Sequence, residues 1–150
     1  MITKRHNITP SVFLILIKDN KILLSKRQNT GHWDGYYGLV SGHVHETEPF
    51  LKAMIREAKE EADISLTPSD LKFIYLMCRT VPENPPEIRD RADIYFTAEK
   101  WENEIKNMEA EKCSDLSWFD LNNLPQNTIP YIKTSIEDIK NKKLYNEFGF

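Results

Sequence analysis

Apolar residues near the start of the chain fall in short runs. Residues 12–17 read VFLILI, and KILLSK follows at 21–26 after the polar triplet Lys18, Asp19 and Asn20. Two such runs around a turn predict a hairpin of strands. The polar, glycine-bearing stretch QNTGHWDG at 28–35 predicts a loop, and residues 36–40 a further short strand. The period then changes. Leu51, Met54, Ile55, Ala58 and Ala62 recur at helical spacing, while Glu57, Glu60 and Glu61 fall within about one 100° sector on the other side. One helix therefore buries an apolar stripe and presents a carboxylate stripe. Thr47 is its expected N-cap, with Pro49 near the first helical position. Asp63 is the expected stop, because Asp tolerates left-handed backbone better than most residues.

Beyond the helix, residues 71–81 predict a long strand, PENPP at 82–86 a loop, and residues 91–97 a strand alternating at Ala92, Ile94 and Phe96. A charged segment at 99–112 surrounds Trp101, Ile105 and Met108. Residues 113–119 are strand-like, and NNLP at 122–125 is a turn. Ile129, Ile132, Ile136 and Ile139 place a second helix over 128–142, with Thr128 as expected cap and Pro130 in its first turn. Residues 1–10 read as a polar arm or short strand, and 143–150 as a short aromatic tail. Strands on both sides of one helix, with a late second helix, predict an α/β fold in which a mixed sheet lies between helices. Neither a repeat nor a linker divides the sequence, so residues 1–150 read as one domain.

Composition narrows the function classes. The sequence has 150 residues, 40% hydrophobic and 29% charged, with a net charge of −3. That is the make-up of a soluble globular domain with room for a core. The acidic balance argues against nucleic acid as a partner. It leaves a phosphorylated small molecule open, because a bound cation inverts the local charge. Cys78 and Cys113 have no zinc spacing and read as reduced, buried thiols. The longest apolar run is too short to cross a membrane, and the start lacks a signal-peptide pattern. A cytoplasmic protein, monomer or homodimer, is the expectation.

The carboxylate stripe is where chemistry concentrates. Glu57 and Glu61 are like charges at i,i+4, which costs a bare helix about 0.2–0.5 kcal/mol. Dense hard oxygen donors on a rigid element suit Mg²⁺, which is held by a few carboxylates, waters and substrate phosphates. The spacing around them is specific. In GHVHETEPFLKAMIREAKEEADI, Gly42 is followed after five residues by Glu48, and after seven more by Arg56 and Glu57, with Glu60, Glu61 and Ile64 behind. This stretch, residues 42–64, resembles the Nudix box, G-x5-E-x7-R-E-U-x-E-E-x-G-U. Every charged position matches. Asp63 departs from it, standing in place of the second glycine, and so does the small Ala58 at an aliphatic position.

The resemblance implies a Nudix-type α/β/α sandwich over roughly residues 8–142. It also implies hydrolysis, with Mg²⁺ or Mn²⁺, of a nucleoside diphosphate linked to a further group. On the family pattern Glu57, Glu60 and Glu61 are the metal ligands, joined by the Ser41 backbone carbonyl and by one further acid, Glu109 or Glu111. Glu57 is also the candidate base, and Glu48 and Arg56 are the pair that holds the loop against the helix. Gly42 lets the backbone approach closely. Lys26 and Arg27, ending the second strand, are candidates for substrate phosphate, with Arg79, Arg89 and Arg91 weaker ones. Trp33 is a candidate for stacking on a base. Nucleoside triphosphates, including oxidised purine nucleotides, are the expected substrates. ADP-ribose, other nucleotide sugars and dinucleoside polyphosphates are alternatives. A nucleotide-sensing module that does not cut is an alternative of another class. An isopentenyl-diphosphate isomerase would need a cysteine ahead of the box, and none precedes residue 78.

Overall fold

The computed structural model describes residues 3–150; Met1 and Ile2, part of the arm read at 1–10, lie outside the described residues. The elements in order are β1 (Thr9–Ile15), β2 (Ile17–Lys18), β3 (Lys21–Arg27), β4 (Tyr37–Gly38), β5 (Val40–His43), α1 (Phe50–Ala62), β6 (Leu71–Thr80), β7 (Asp90–Ala98), β8 (Cys113–Asp120), α2 (Pro130–Lys140) and β9 (Tyr145–Phe148). A five-stranded mixed sheet runs β5-β1-β7-β6-β9. In it β1 is parallel to β7, and β6 is parallel to β9. A smaller sheet joins β2, β3 and β4, with β8 antiparallel to β3.

The central strand β1 is buried on both faces, which is why its sequence is continuously apolar rather than alternating. Val12, Leu14 and Leu16 face α1, packing with Ala53, Met54, Ala58 and Ala62. Phe13 and Ile15 face α2, packing with Ile132 and Ile136. The two helices thus cover opposite faces of one mixed sheet, as the pattern predicts. The early hairpin is a correction. β1 and β3 belong to different sheets, and only β2 pairs with β3 across the Asp19–Asn20 turn. Both strands bury their apolar side chains best against distant partners, β7 for one and β8 for the other.

The cap expectations divide. Asp63 does end α1 in left-handed conformation (φ 55°), and its amide reaches back to the carbonyls of Ala58 and Lys59. Thr47 does not cap α1: it lies outside the helix at φ 61°, and Pro49 is the N-cap residue. Thr128 does not cap α2 either, because its hydroxyl donates to the Pro125 carbonyl and Ile129 holds the cap position. Leu51 is exposed rather than part of the buried stripe. The strand read at 36–40 is split at Leu39 between the two sheets. The aromatic tail contains β9, whose Asn146 amide donates to the Asp138 carboxylate of α2. No helix among the described residues is long and apolar enough to cross a membrane.

Candidate active site

Strand β5 delivers the start of the box to the middle and C-terminal half of α1, and the joint is built around Arg56. Its Nε donates to Glu48 Oε2 at 2.8 Å and its Nη2 to Glu48 Oε1 at 2.9 Å. Nη2 also donates to the His43 carbonyl at 3.1 Å. Nη1 reaches Glu57 Oε1 at 2.6 Å and Glu60 Oε2 at 3.4 Å. A forked arginine–carboxylate pair fixes orientation as well as charge. The Arg56 guanidinium, helped by the His45 amide, holds Glu48 down at about 2. Glu48 is therefore an anion that clamps the loop to the helix.

Two further carboxylates meet β5 from α1. Glu57 sits against Gly42, in the space that a Cβ there would occupy. This close approach is what the box glycine permits. Glu61 Oε2 accepts from the Ser41 amide at 3.0 Å. Burial pushes the Glu61 carboxyl well up, and its neighbours Glu57 and Glu109 push it further. Burial also raises Glu57, outweighing the opposing pull of Arg56. Glu60 is half exposed at the rim of the same stripe.

These groups open into a cleft of about 700 Å³. Arg27, Trp33, Ser41, Gly42, Arg56 and the carboxylates of Glu57, Glu60 and Glu61 line it. Lys26 does not. Successive strand residues point to opposite faces, so Ser25 and Arg27 face the cleft while Lys26 lies over the Tyr37 ring, 5.7 Å from its centre. Of the two acids on the distant loop, Glu109 lines the cleft. Glu111 is exposed outside it, its carbonyl accepting from Asn29. Trp33 stands at the rim in left-handed backbone (φ 53°), edge-on to Tyr36. Its loop is pinned by Asp34, which accepts from Thr30 and Gly31. Ser11, Phe13 and Tyr131 also reach the cleft. Their sequence positions give no sign of it, since only the register of β1 and the docking of α2 bring them there.

The donors present fit a hard divalent cation in kind. They are carboxylates on one helix face, Glu57 and Glu61 among them raised by burial and by neighbouring carboxylates, with Gly42 leaving a cradle that a Cβ would fill. As the side chains stand, no three His, Cys, Asp or Glu among the described residues converge on one point. Arg56 spans Glu57 and Glu60 instead.

A family model described as the NUDIX domain matches residues 7–138. The chain belongs to the NUDIX family. It is 33% identical over 112 residues to an ADP-ribose pyrophosphatase of Methanocaldococcus jannaschii, an alignment covering 75% of this chain and 62% of that protein. The chain thus spans less than two thirds of the length of that curated relative. Among solved structures, a MutT NUDIX hydrolase from Burkholderia pseudomallei superposes with a TM-score of 0.78 at 24% identity, covering 87% of this chain and 97% of that one. A MutT protein from Methanosarcina mazei gives 0.75 at 18% identity, over 94% and 100%. At those identities the likeness is one of fold, and it agrees with the mixed sheet and two helices of this NUDIX domain.

Proposed function

We propose that this NUDIX chain is a metal-dependent pyrophosphohydrolase of nucleoside diphosphates linked to a further group. Nucleoside triphosphates are its main substrate class, and a nucleoside monophosphate and pyrophosphate are its products. The observation that carries this reading is the seating of Glu57. Its carboxylate lies on Gly42, is steadied by Arg56 and faces a cleft that also holds the Arg27 guanidinium. A phosphoric anhydride is protected by its own negative charge, so cleavage needs that charge offset and a water deprotonated.

Glu57, Glu60 and Glu61, with the Ser41 carbonyl and Glu109, are the groups that would hold Mg²⁺ or Mn²⁺. Bound there, the ion supplies charge neutralisation and a lower pKa for water. The chain's own residues do the rest. Glu57 takes the proton of the attacking water. Arg56 is a positioning residue that acts through Glu57, and Glu48 fixes Arg56 in turn. Arg27 meets phosphate oxygens, and Trp33 offers a ring face to the base.

ADP-ribose is the second reading, favoured by the name of the 33%-identical relative. Nothing in the site or in the comparisons supports a module that binds nucleotide without cutting it, since all the box carboxylates are kept. The test is a phosphate-release screen with Mg²⁺ and added pyrophosphatase. It covers nucleoside triphosphates (oxidised purines included), ADP-ribose, sugar nucleotides and dinucleoside polyphosphates. Turnover abolished by chelator and restored by Mg²⁺ or Mn²⁺ is the expected result. A folded protein that binds nucleotide yet cuts nothing in the panel overturns the reading.

A further inference from the structure

A second charged pole of the cleft lies across His43 from the carboxylates. The His43 carbonyl accepts from Arg56, and its ring Nε2 meets Arg91 Nη1 at 3.3 Å. Arg91 on β7 and Arg79 on β6 are direct cross-strand partners, and both line the cleft. Asp93 lies two residues along β7 from Arg91, so it shares the same face of the sheet.

The two arginines differ in how they are satisfied. Arg79 is held on both sides. Its Nε donates to Asp93 Oδ2 at 2.7 Å, its Nη2 approaches Oδ1 at 3.4 Å, and its guanidinium carbon sits 3.8 Å from the centre of the Tyr131 ring. Asp93 thereby directs both oxygens to Arg79. Arg91 has no such partner. Its Nε is buried without a hydrogen bond, and among the described residues no carboxylate forms an ion pair with it. An N–H removed from water and left unbonded is costly, and more so on a charged group. With Nε closed off, Arg91 meets the cleft through the rest of its guanidinium, which has no carboxylate to balance its charge, and an anionic ligand there supplies the missing countercharge. A guanidinium edge of this kind matches the oxygens of a phosphate.

We propose that Arg91, backed by the Asp93-held Arg79, is an anion subsite of the cleft that takes a phosphate of the nucleotide other than those joined by the anhydride being cut. It follows that the substrate class is nucleotides that end in a phosphate, with nucleotides that end in a neutral sugar disfavoured. The substrate statement rests on the hydrolase reading above; the subsite itself does not.

Two measurements on the full chain test it. Calorimetric titration of inorganic tripolyphosphate in metal-free buffer should show wild-type binding weakened at least about tenfold by Arg91→Gln. Steady-state kinetics should show that the same variant lowers the ratio of kcat/KM for a nucleoside triphosphate over ADP-ribose by a similar factor, with KM carrying the change. Wild type that does not bind tripolyphosphate, or equal binding by wild type and variant, overturns the subsite. An unchanged kinetic ratio overturns its role in substrate choice. A wild type that turns over neither nucleotide defeats the hydrolase reading instead, and the titration still decides the subsite. Should Arg91→Gln fail to fold, Arg91→Lys keeps the charge but loses the planar guanidinium and its fixed N–H donors. That variant should bind tripolyphosphate at least about threefold more weakly, and wild-type affinity in it would overturn the proposal.

Discussion

The Glu57 carboxylate occupies the space that a side chain at Gly42 would need. The box glycine and the helix carboxylate are thus one structural unit, although 14 positions separate them in the sequence. The colliding atoms are the far end of a flexible side chain, so Gly42→Ala can be accommodated by swinging Glu57 aside. The fold should survive with a loss of about 1 kcal/mol or less. Turnover should fall about 10²-fold, because a reacting group displaced by about an ångström costs that much. Melting temperature and kcat measured on one preparation check both halves. A variant of full activity would show that the seat does not matter.

Glu57→Gln separates charge from shape. The amide keeps the size of the carboxylate and removes the ligand and proton acceptor. Burial already disfavours the ionised carboxylate at this position, so neutralising it should cost the fold little, about 0–1 kcal/mol. The rate should drop at least about 10²-fold, the scale of a lost acid–base contribution. Near-wild-type kcat in Glu57→Gln would remove Glu57 from the proposed roles.

The Glu48–Arg56 clamp predicts an acid-side signature. Glu48 in the folded protein is held at about 2, below the value near ~4.3 of an unperturbed glutamate. A carboxyl whose folded pKa is depressed stabilises the protein fully above its unfolded pKa. That contribution fades as pH falls through the window down to the folded value. The melting temperature of Glu48→Gln should therefore trail wild type by a constant margin above about pH 5, and the two curves should approach one another toward pH 2. A gap that stays the same at pH 3 and at pH 7 would mean that the clamp is not electrostatic.

The parts of this molecule that were legible in its sequence are those set by local period. The apolar stripe of α1, the carboxylates opposite it and the left-handed stop at Asp63 all follow from spacing within one helix. What escaped depends on partners far along the chain. Residues 12–16 suit a strand in any sheet, and only β7, some eighty positions later, decides which one. The segment holding β9 is too short to read alone; it is docked by Asn146 on Asp138, a carboxylate that also accepts from Tyr75 of β6. Thr47 and Thr128 have cap chemistry without cap geometry. In the site, the choice between Glu109 and Glu111 turns on the path of a loop. A turn in which Lys112 and Cys113 donate to the Glu109 carbonyl sets that path. Strand alternation argues against Lys26 and Arg27 both facing one cleft, but it does not choose between them, and the pairing of β3 with β8 shifts register at this very step.

Asp63 gives a stability prediction independent of the site. It holds φ 55° and ψ 26° at the end of α1, a backbone state that costs an L-residue about 1 kcal/mol or more and glycine almost nothing. Asp63→Gly would relieve that strain. It would also remove the Lys59–Asp63 ion pair, which is solvent-exposed and so contributes only about 0.3–0.5 kcal/mol. Glycine's freedom in the unfolded chain takes back part of the remainder. The balance favours the variant by about 0.5 kcal/mol, which raises the melting temperature of a domain this size by about 1–2 °C. Calorimetry on the two proteins side by side would resolve that shift. A lower melting temperature would mean that the Lys59 contact outweighs the backbone strain, and that aspartate is the better residue for this helix end.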